Sequence, residues 1–393
     1  MMSVSSFARN NNFIGLLAAN TILGSAMPML IILGGLAGLM LAPTIALATL
    51  PASLQTVAGL FVAAPFSILM GKFGRKIGFL VGGGLAIAGA MIGTWALFSG
   101  SFILLCVAHF MLGTALTCYQ YFRFAAAEAV SPEWRPVAIS LMLTSGLVAA
   151  FVGPQVFIMA KDALAPIPLA GAYAAIGVVS LIGLVPLAVV RIPTIKPVPQ
   201  RRSGGRLAAL AVLKQRPVRT AVGIGAVVNG IMVFLMVPTP LAMIGCGFTE
   251  TVAGDVIRWH VVAMFAPSFI TGFLIKRFGT RPIAITGLLL MIMAALAAAT
   301  GLSSAHFYGS LILLGIGWNF GFVGATTMLA NVVSASDKSV VQGVNDTIIA
   351  LVATLCAFAA GTIIAGFGWV ILAAVAVVIL VLALGTVVFE KRY

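Results

Sequence analysis

Long apolar segments alternate with short polar ones along the whole of this 393-residue chain. An α-helix of about 20 residues crosses the roughly 30 Å hydrocarbon layer of a bilayer. The pattern therefore predicts an all-α integral membrane protein with twelve transmembrane helices in two sets of six. The predicted helices lie at 11–38, 43–70, 77–98, 102–122, 137–160 and 169–190, and at 220–243, 252–275, 282–299, 307–329, 341–365 and 369–389.

A basic segment, residues 191–219, separates the two sets of helices. It contains eight Lys and Arg residues, no Asp or Glu, and several prolines and glycines. This composition is typical of a solvated connection rather than a packed element. We predict an N-terminal six-helix bundle at 1–190, a basic cytoplasmic linker at 191–219 and a C-terminal six-helix bundle at 220–393.

The charged residues favour one orientation in the membrane. Only 8% of residues are charged and 62% are hydrophobic, so a water-soluble protein could not cover its surface. A net charge of +14 is also found in nucleic-acid-binding proteins, but here all Lys and Arg residues except Lys161 and Arg258 fall on one side if both termini lie inside. This is the asymmetry of the positive-inside rule. We predict a multi-pass protein that contacts the lipid bilayer, keeps both termini in the cytoplasm and binds no nucleic acid.

The two halves repeat in sequence. Lys72-Phe73-Gly74-Arg75-Lys76 follows the second predicted helix, and Arg277-Phe278-Gly279-Thr280-Arg281 follows the eighth, 205 residues later. Val130-Ser131 similarly corresponds to Val333-Ser334, 203 residues later. A nearly constant offset of about half the chain indicates duplication, and hence two pseudo-symmetric six-helix halves.

Two short patterns in the C-terminal half combine soft donor atoms with membrane depth. Met232-x-x-x-Met236 and His260-x-x-x-Met264 each place two donors on one helix face. Thioether sulfur and imidazole nitrogen are ligands that Cu(I) prefers, and an ionisable residue inside the membrane is a functional candidate. We therefore predict a metal site formed by Met232, Met236, His260 and Met264. A purely structural role stays open for both patterns, since methionine also fills gaps between helices and a neutral histidine can bond to a neighbouring helix.

Further soft donors are weaker candidates for the same pathway. Met243 and Cys246 lie at the predicted outer end of the seventh helix, and Met27-Pro28-Met29 is predicted to break the first. The four cysteines form no C-x-x-C pair and no disulfide framework. The additional candidate ligands are Met27, Met29, Cys106, His109, Met243 and Cys246.

The loop Gly71-Lys72-Phe73-Gly74-Arg75-Lys76 resembles the D-R-x-G-R-R/K signature of the major facilitator superfamily, with Gly71 in place of the aspartate. Within that superfamily, the two Met/His patterns resemble those of CcoA-type copper importers, which carry M-x-x-x-M on helix seven and H-x-x-x-M on helix eight. The two repeated halves indicate a transporter that works by alternating access. We predict that charges near the inner helix ends have gating or structural roles. The predicted gating and structural residues are Lys72, Arg75, Lys76, Arg123, Arg277, Arg281 and Asp346.

The same resemblance implies copper import across the bacterial inner (plasma) membrane, supplying copper for assembly of a cbb-type cytochrome c oxidase. Copper would be the transported substrate, with no resident cofactor. We expect a monomer that passes copper to cytoplasmic copper-accepting proteins. Since the chain has no Walker loop and no phosphorylated-aspartate motif, ATP-driven pumping is not supported and we expect no enzymatic activity.

Two alternative functions stay open from the residues alone. A transporter of the same fold could carry a small organic substrate, such as riboflavin or a drug, in a pocket of aromatic and hydrogen-bonding side chains. A non-transporting membrane protein could instead bind copper and assist oxidase assembly. The residues that would serve an organic substrate are Trp318, Asn319, Phe320 and Phe322.

Overall fold

The computed structural model describes residues 10–44, 47, 50–192, 212–334 and 337–389, and contains no β-strand within them. In this part of the chain, twelve helices are long and apolar enough to cross a bilayer, which confirms the predicted fold class. They are α1 (Asn11–Leu41), α2 (Leu50–Phe73), α3 (Arg75–Phe98), α4 (Phe102–Glu128), α5 (Pro132–Ala160), α6 (Ala170–Val189), α7 (Arg216–Met236), α8 (Val252–Phe278), α9 (Thr280–Thr300), α10 (Ser304–Val332), α11 (Lys338–Ile364) and α12 (Gly366–Phe389).

The start of α7 differs from the prediction. This helix begins at Arg216, so that Arg216 and Arg219 lie in its first turn rather than in the linker. Pro217 at the second position explains the early start, because proline fits a first helical turn without losing a hydrogen bond. The other predicted linker residues, apart from 191, 192 and 212–215, lie outside the described residues.

Several of the membrane-spanning segments are interrupted, among them the fourth, which consists of Phe102–Tyr119 and Phe122–Glu128. The first is broken at Ser25, just before the predicted Met27-Pro28-Met29 position. The seventh ends at Met236, and a separate short helix, Thr239–Gly245, follows it. The eighth consists of two regular helices, Glu250–Phe265 and Ser268–Phe278, because Pro267 between them has no backbone N–H to continue the ladder.

The described chain forms two compact units. Unit 1 contains α1–α4, the part of α5 that follows Thr144, α6, and Gln342–Thr347 of α11. Unit 2 contains Pro132–Thr144 of α5 and the remainder of α7–α12. Each unit therefore includes one short piece of a helix that otherwise belongs to the other set of six.

Small residues allow the helices within unit 2 to pack closely. A Cβ atom added at Gly287 of α9 would lie 2.4 Å from the backbone nitrogen of Gly321 on α10, so only glycine fits there. In membrane proteins, small residues at such contacts let helix backbones approach each other. The resulting core of unit 2 is a cluster of buried apolar side chains from α7–α12 and from the short helix that follows α7.

The repeated loops adopt the same local structure in the two units. Gly74 and Gly279 precede α3 and α9 with φ angles of 92° and 93°, which favour glycine. Lys76 donates to the carbonyls of Ala188 and Val190 at the end of α6. Arg281 likewise donates to Val387 and Val388 at the end of α12. Each basic side chain thus satisfies carbonyl groups that a helix end leaves open.

Candidate functional site

His260 lies on α8 and is completely buried. Its Nδ1 is 2.7 Å from the backbone carbonyl oxygen of Leu311 on α10. A carbonyl oxygen only accepts hydrogen bonds, so Nδ1 carries the proton and Nε2 keeps its lone pair in the neutral ring. Nε2 is buried and has no hydrogen-bond partner among the described residues. An imidazole held through one nitrogen, with the other available as a donor atom, is the usual arrangement of a metal-binding histidine.

The methionines of the two patterns lie in the same region as His260. Met232 and Met264 are 8% and 7% exposed and belong to the apolar cluster of unit 2, which also includes Leu311. Met236, the last residue of α7, packs against this cluster. Both α7 and α8 pack against α10. The structure therefore places all four predicted ligands in or beside one core, around helix ten.

The types of side chain in this core restrict which metal ions it could bind. Among the described residues, no group of three or more His, Cys, Asp or Glu side chains is placed to hold a metal ion. A metal at His260 would therefore depend on thioether sulfur for its other protein ligands. Soft sulfur donors favour Cu(I) over Mg²⁺, Ca²⁺ or Mn²⁺, which prefer oxygen.

The second histidine considered as a ligand, His109 on α4, has different surroundings. Its Nδ1 lies 3.3 Å from Oε1 of Gln55 and its Nε2 lies 2.7 Å from the hydroxyl oxygen of Tyr173. The ring is completely buried, and both nitrogens have protein partners. In this arrangement His109 offers no unoccupied nitrogen to a metal.

The remaining soft donors are dispersed. Met243 is fully buried in the cluster of unit 2, while Cys246, at the end of the short helix after α7, is exposed. On α1, Met29 is fully buried and Met27 is 47% exposed. Cys106 on α4 is partly buried and forms no disulfide. Of these donors, only Met243 belongs to the same core as the Met/His patterns.

The aromatic residues considered for an organic substrate form a compact group on one side of α10. Trp318 stacks on Phe322 with ring centroids 4.9 Å apart and meets Phe265 edge to face at 6.0 Å. Its indole Nε1 donates to Oδ1 of Asn229 at 3.2 Å. Trp318 is 5% exposed, so the group packs against itself. Phe320 is half-buried on the same helix.

Asn319 is fully occupied by protein partners. Its amide nitrogen donates to the carbonyl of Met264 at 2.7 Å and to the hydroxyl of Ser268. Its amide oxygen lies 2.7 Å from the hydroxyl of Thr271. The expectation that Asn319 binds an organic substrate therefore needs these contacts to be exchanged.

Most of the predicted gating charges have partners within unit 1. Arg75 forms an ion pair with Glu128 at 2.9 Å and a hydrogen bond with Gln342. Arg123 pairs with Asp346, and both side chains are less than 10% exposed. Sequence reasoning missed Glu128 and Gln342. Glu128 could have been considered from the sequence, because it is one of only eight acidic residues in the chain. In the structure it lies at a helix end.

The two remaining loop cations have no such role. Lys72 and Arg277 are exposed, and each lies over the ring of the phenylalanine that follows it. The charged loops therefore divide into buried or capping residues and solvent-facing ones.

Comparisons with known proteins define the family. No family model matches the chain. The riboflavin transporter RfnT of Brucella anthropi is 35% identical over 362 residues, which are 92% of this chain and 91% of the relative. An uncharacterised MFS-type transporter of Bacillus subtilis, YdeG, is 28% identical over 94% of this chain and 89% of its own. The crystal structure of the major facilitator transporter FucP superposes with a TM-score of 0.83 at 17% identity, covering 98% of this chain and all of the other.

The chain belongs to the major facilitator superfamily. The resemblance that the Gly71–Lys76 loop predicted is therefore confirmed at the level of the superfamily, and the protein is a multi-pass membrane transporter. The finer resemblance, to CcoA-type copper importers, stays a prediction. The likeness to FucP concerns the fold alone. RfnT, the more similar of these relatives in sequence, is named as a transporter of an organic substrate, riboflavin.

Proposed function

We propose that this major facilitator transporter carries copper ions, with His260, Met232 and Met264 as the ligands of the ion in transit. The observation that carries the proposal is the open Nε2 of His260, a buried nitrogen on the helix that also carries the buried Met264. The helix of the buried Met232 packs against α10, as the helix of His260 does. Leaving a buried acceptor without a partner costs about 1–3 kcal/mol. A site that tolerates this cost is one in which a cation can restore the missing interaction.

The donor set suits transport rather than storage. One imidazole and two or three thioethers bind Cu(I) without adding a negative charge to the apolar core. A conducting site must bind well enough to admit the ion and weakly enough to release it. Neutral soft ligands meet both needs better than a closed set of four thiolates, which is typical of structural metal sites.

The direction and setting of transport form part of the same proposal. The distribution of Lys and Arg supports cytoplasmic termini. We propose a bacterial inner membrane as the setting, because the membrane potential there favours cation entry. Met236 and Met243 then extend the donor series beyond Met232 along the chain. Import by alternating access would supply cytoplasmic copper-accepting proteins and cytochrome c oxidase assembly, with the transporter acting as a monomer.

Riboflavin, or an organic molecule of similar chemistry, is the second candidate substrate. The observation that favours it is the 35% identity to RfnT across almost the whole chain. The group of Trp318, Phe322 and Phe265 offers stacking surfaces for a planar ring system. In the present arrangement these rings stack on one another, and the Trp318 N–H is used by Asn229, so a bound ring system must displace internal contacts.

Transport of both substrates by the purified protein in proteoliposomes tests the proposal. We expect radiolabelled Cu(I) to accumulate, and excess riboflavin to leave that accumulation unchanged. Met232→Leu should lower copper uptake at least about tenfold, since disturbing even a supporting residue of a metal site costs 10–100-fold in affinity. Met291→Leu is the matched control, because Met291 is fully buried in the same cluster but lies outside both patterns.

Each alternative gives a distinct result in that assay. Accumulation of riboflavin without copper, equal in the Met232→Leu and Met291→Leu variants, would establish the organic substrate and reject copper. Saturable copper binding without accumulation would indicate a non-transporting copper protein. Both methionine replacements should cost less than about 1.5 kcal/mol in stability, so loss of folding does not confuse the comparison.

A further inference from the structure

Helix α10 presents a regularly spaced face to the His260–Met264 turn of α8. Leu311, Gly315 and Asn319 follow each other at intervals of four residues, so they lie on one side of α10. The carbonyl of Leu311 accepts from Nδ1 of His260. A Cβ atom at Gly315 would lie 2.7 Å from the carbonyl oxygen of His260 and 2.9 Å from the backbone nitrogen of Met264. The backbones of the two helices therefore approach each other closely at Gly315, within the H-x-x-x-M turn.

Asn319 completes this face at the point where α8 is interrupted. Pro267 has no N–H, and the regular helix resumes only at Ser268. The carbonyl of Met264 accepts from the amide nitrogen of Asn319 at 2.7 Å, and the same nitrogen donates to the hydroxyl of Ser268. One amide thus joins the two segments of the broken helix.

The orientation of the Asn319 amide is itself fixed. Its oxygen lies 2.7 Å from the hydroxyl of Thr271, and Asn319 and Thr271 are both completely buried. An exchange of the amide oxygen and nitrogen would place two acceptors opposite each other at the Met264 carbonyl. Only one orientation satisfies all three partners.

We propose that Asn319 is the positioning residue of the soft metal site, holding the backbone of Met264 in register with His260. This inference rests on the proposed copper function. Leu311 fixes the ring of His260, and Asn319 fixes the other end of the same helical turn. A break in a helix would otherwise leave the position of Met264 variable. Supporting groups that orient metal ligands typically change affinity by 10–100-fold when they are removed.

Ser140 of α5 provides a matched control at the same break. Its hydroxyl donates to the carbonyl of Ser268 at 2.6 Å and accepts from the N–H of Gly272 at 3.0 Å. Ser140 is 1% exposed, so its loss also removes buried hydrogen bonds. It does not contact Met264 in the described hydrogen bonds. Ser140→Ala should therefore disturb the second segment of α8 and leave the H-x-x-x-M turn in place.

The test measures Cu(I) binding to the purified full-length protein by competition with a chromogenic chelator, together with the X-ray absorption spectrum of the copper-loaded protein. We expect Asn319→Leu to weaken Cu(I) affinity by about tenfold or more and to remove one sulfur ligand from the spectrum. Ser140→Ala should lower the melting temperature but keep the affinity within about twofold and the sulfur count unchanged. If Asn319→Leu does not fold, Thr271→Val provides a second variant. It removes the hydroxyl that fixes the amide and that also contacts the carbonyl of Pro267, and it should show the same spectral change with a several-fold loss of affinity.

The outcomes separate this inference from the function on which it rests. Absence of Cu(I) binding in the unmodified protein would overturn the proposed function, and the positioning role with it. Binding in the unmodified protein, with unchanged affinity and sulfur count in folded Asn319→Leu or Thr271→Val, would overturn the positioning role alone. An equal loss of affinity and of sulfur in Ser140→Ala would also overturn it, because the effect would then be general to the broken helix.

Discussion

The two units each contain one completely buried membrane histidine, and the two histidines have opposite surroundings. In unit 1, both nitrogens of His109 have partners, Gln55 and Tyr173. In unit 2, His260 is held by Leu311 through Nδ1, and its Nε2 has no partner in the described residues. Both rings are 0% exposed, so burial does not distinguish them. The distinguishing property is the lone pair that remains available.

The sequence repeat makes this comparison more direct. Gln55 precedes His260 by 205 residues, the same offset that relates the two basic loops. The same position of the ancestral repeat therefore carries a glutamine in unit 1 and a histidine in unit 2. In unit 1 that side chain partners another polar residue, and in unit 2 it becomes the candidate ligand. Duplication followed by divergence is a simple route to a single metal site in a two-fold repeated fold.

The largest effect should come from removing each histidine in turn. His260→Gln keeps a polar side chain but removes the imidazole donor, and should reduce copper uptake in proteoliposomes by at least about 100-fold, the upper range for disturbed metal sites. His109→Gln should keep uptake within about threefold, because the ring it removes has no open nitrogen. Circular dichroism and size-exclusion profiles provide the folding control for both variants.

The reverse ranking would contradict the comparison. If His109→Gln abolished copper uptake and His260→Gln did not, the hydrogen-bonded cluster in unit 1 would be the functional centre. Equal and complete loss in both, with folding intact, would mean that an occupied nitrogen in this structure becomes available during transport.

A smaller effect should follow from loosening the cluster of unit 1. Tyr173→Phe removes the hydroxyl that lies 2.7 Å from Nε2 of His109 and leaves that nitrogen as unoccupied as Nε2 of His260. The loss of one buried hydrogen bond should destabilise the protein by about 1 kcal/mol, measurable as a lower melting temperature in detergent. Copper uptake should stay at the unmodified level, since no methionine of the two patterns lies in unit 1. A gain of a second copper equivalent in the variant would show that an open imidazole is sufficient for binding in this fold.

Part of this organisation could be predicted from sequence. Twelve apolar segments, two matching basic loops and two Met/His patterns were sufficient for the fold class, the repeat and the candidate ligands, since each depends on residue type and spacing alone. One helix break was predicted close to its position, since the first helix breaks at Ser25 just before Met27-Pro28-Met29, but the other breaks could not be predicted in the same way. Pro65, Pro154 and Pro186 lie within continuous helices, whereas α8 is interrupted at Pro267. Proline disfavours a helix interior, but packing decides whether the helix is interrupted.

The hydrogen-bond partners of buried polar groups could not be predicted from the sequence either. Asn319 lies 55 residues from Met264, and Gln55 lies 54 residues from His109. Nothing in the spacing of either pair indicates a contact, because the register between two helices is set by the residues packed at their interface. The expectation that Asn319 contacts an organic substrate arose from its type and position, and only the structure shows that its amide is already fully used.

The smallest expected effect concerns a feature that the two units share, a basic side chain at the end of a helix. Lys76 and Arg281 occupy corresponding positions of the repeat and donate to the last carbonyls of α6 and α12. A cation at the C-terminal end of a helix contributes about 0.3–1 kcal/mol. Lys76→Met and Arg281→Met should therefore lower the melting temperature by small and similar amounts, with copper uptake unchanged. Lys72→Met, at an exposed position of the same loop, should leave the melting temperature unaltered. If only one of the two capping variants were destabilised, the units would differ in their helix ends as well as in their histidines, and the repeat would be a weaker guide to equivalent positions such as Gln55 and His260.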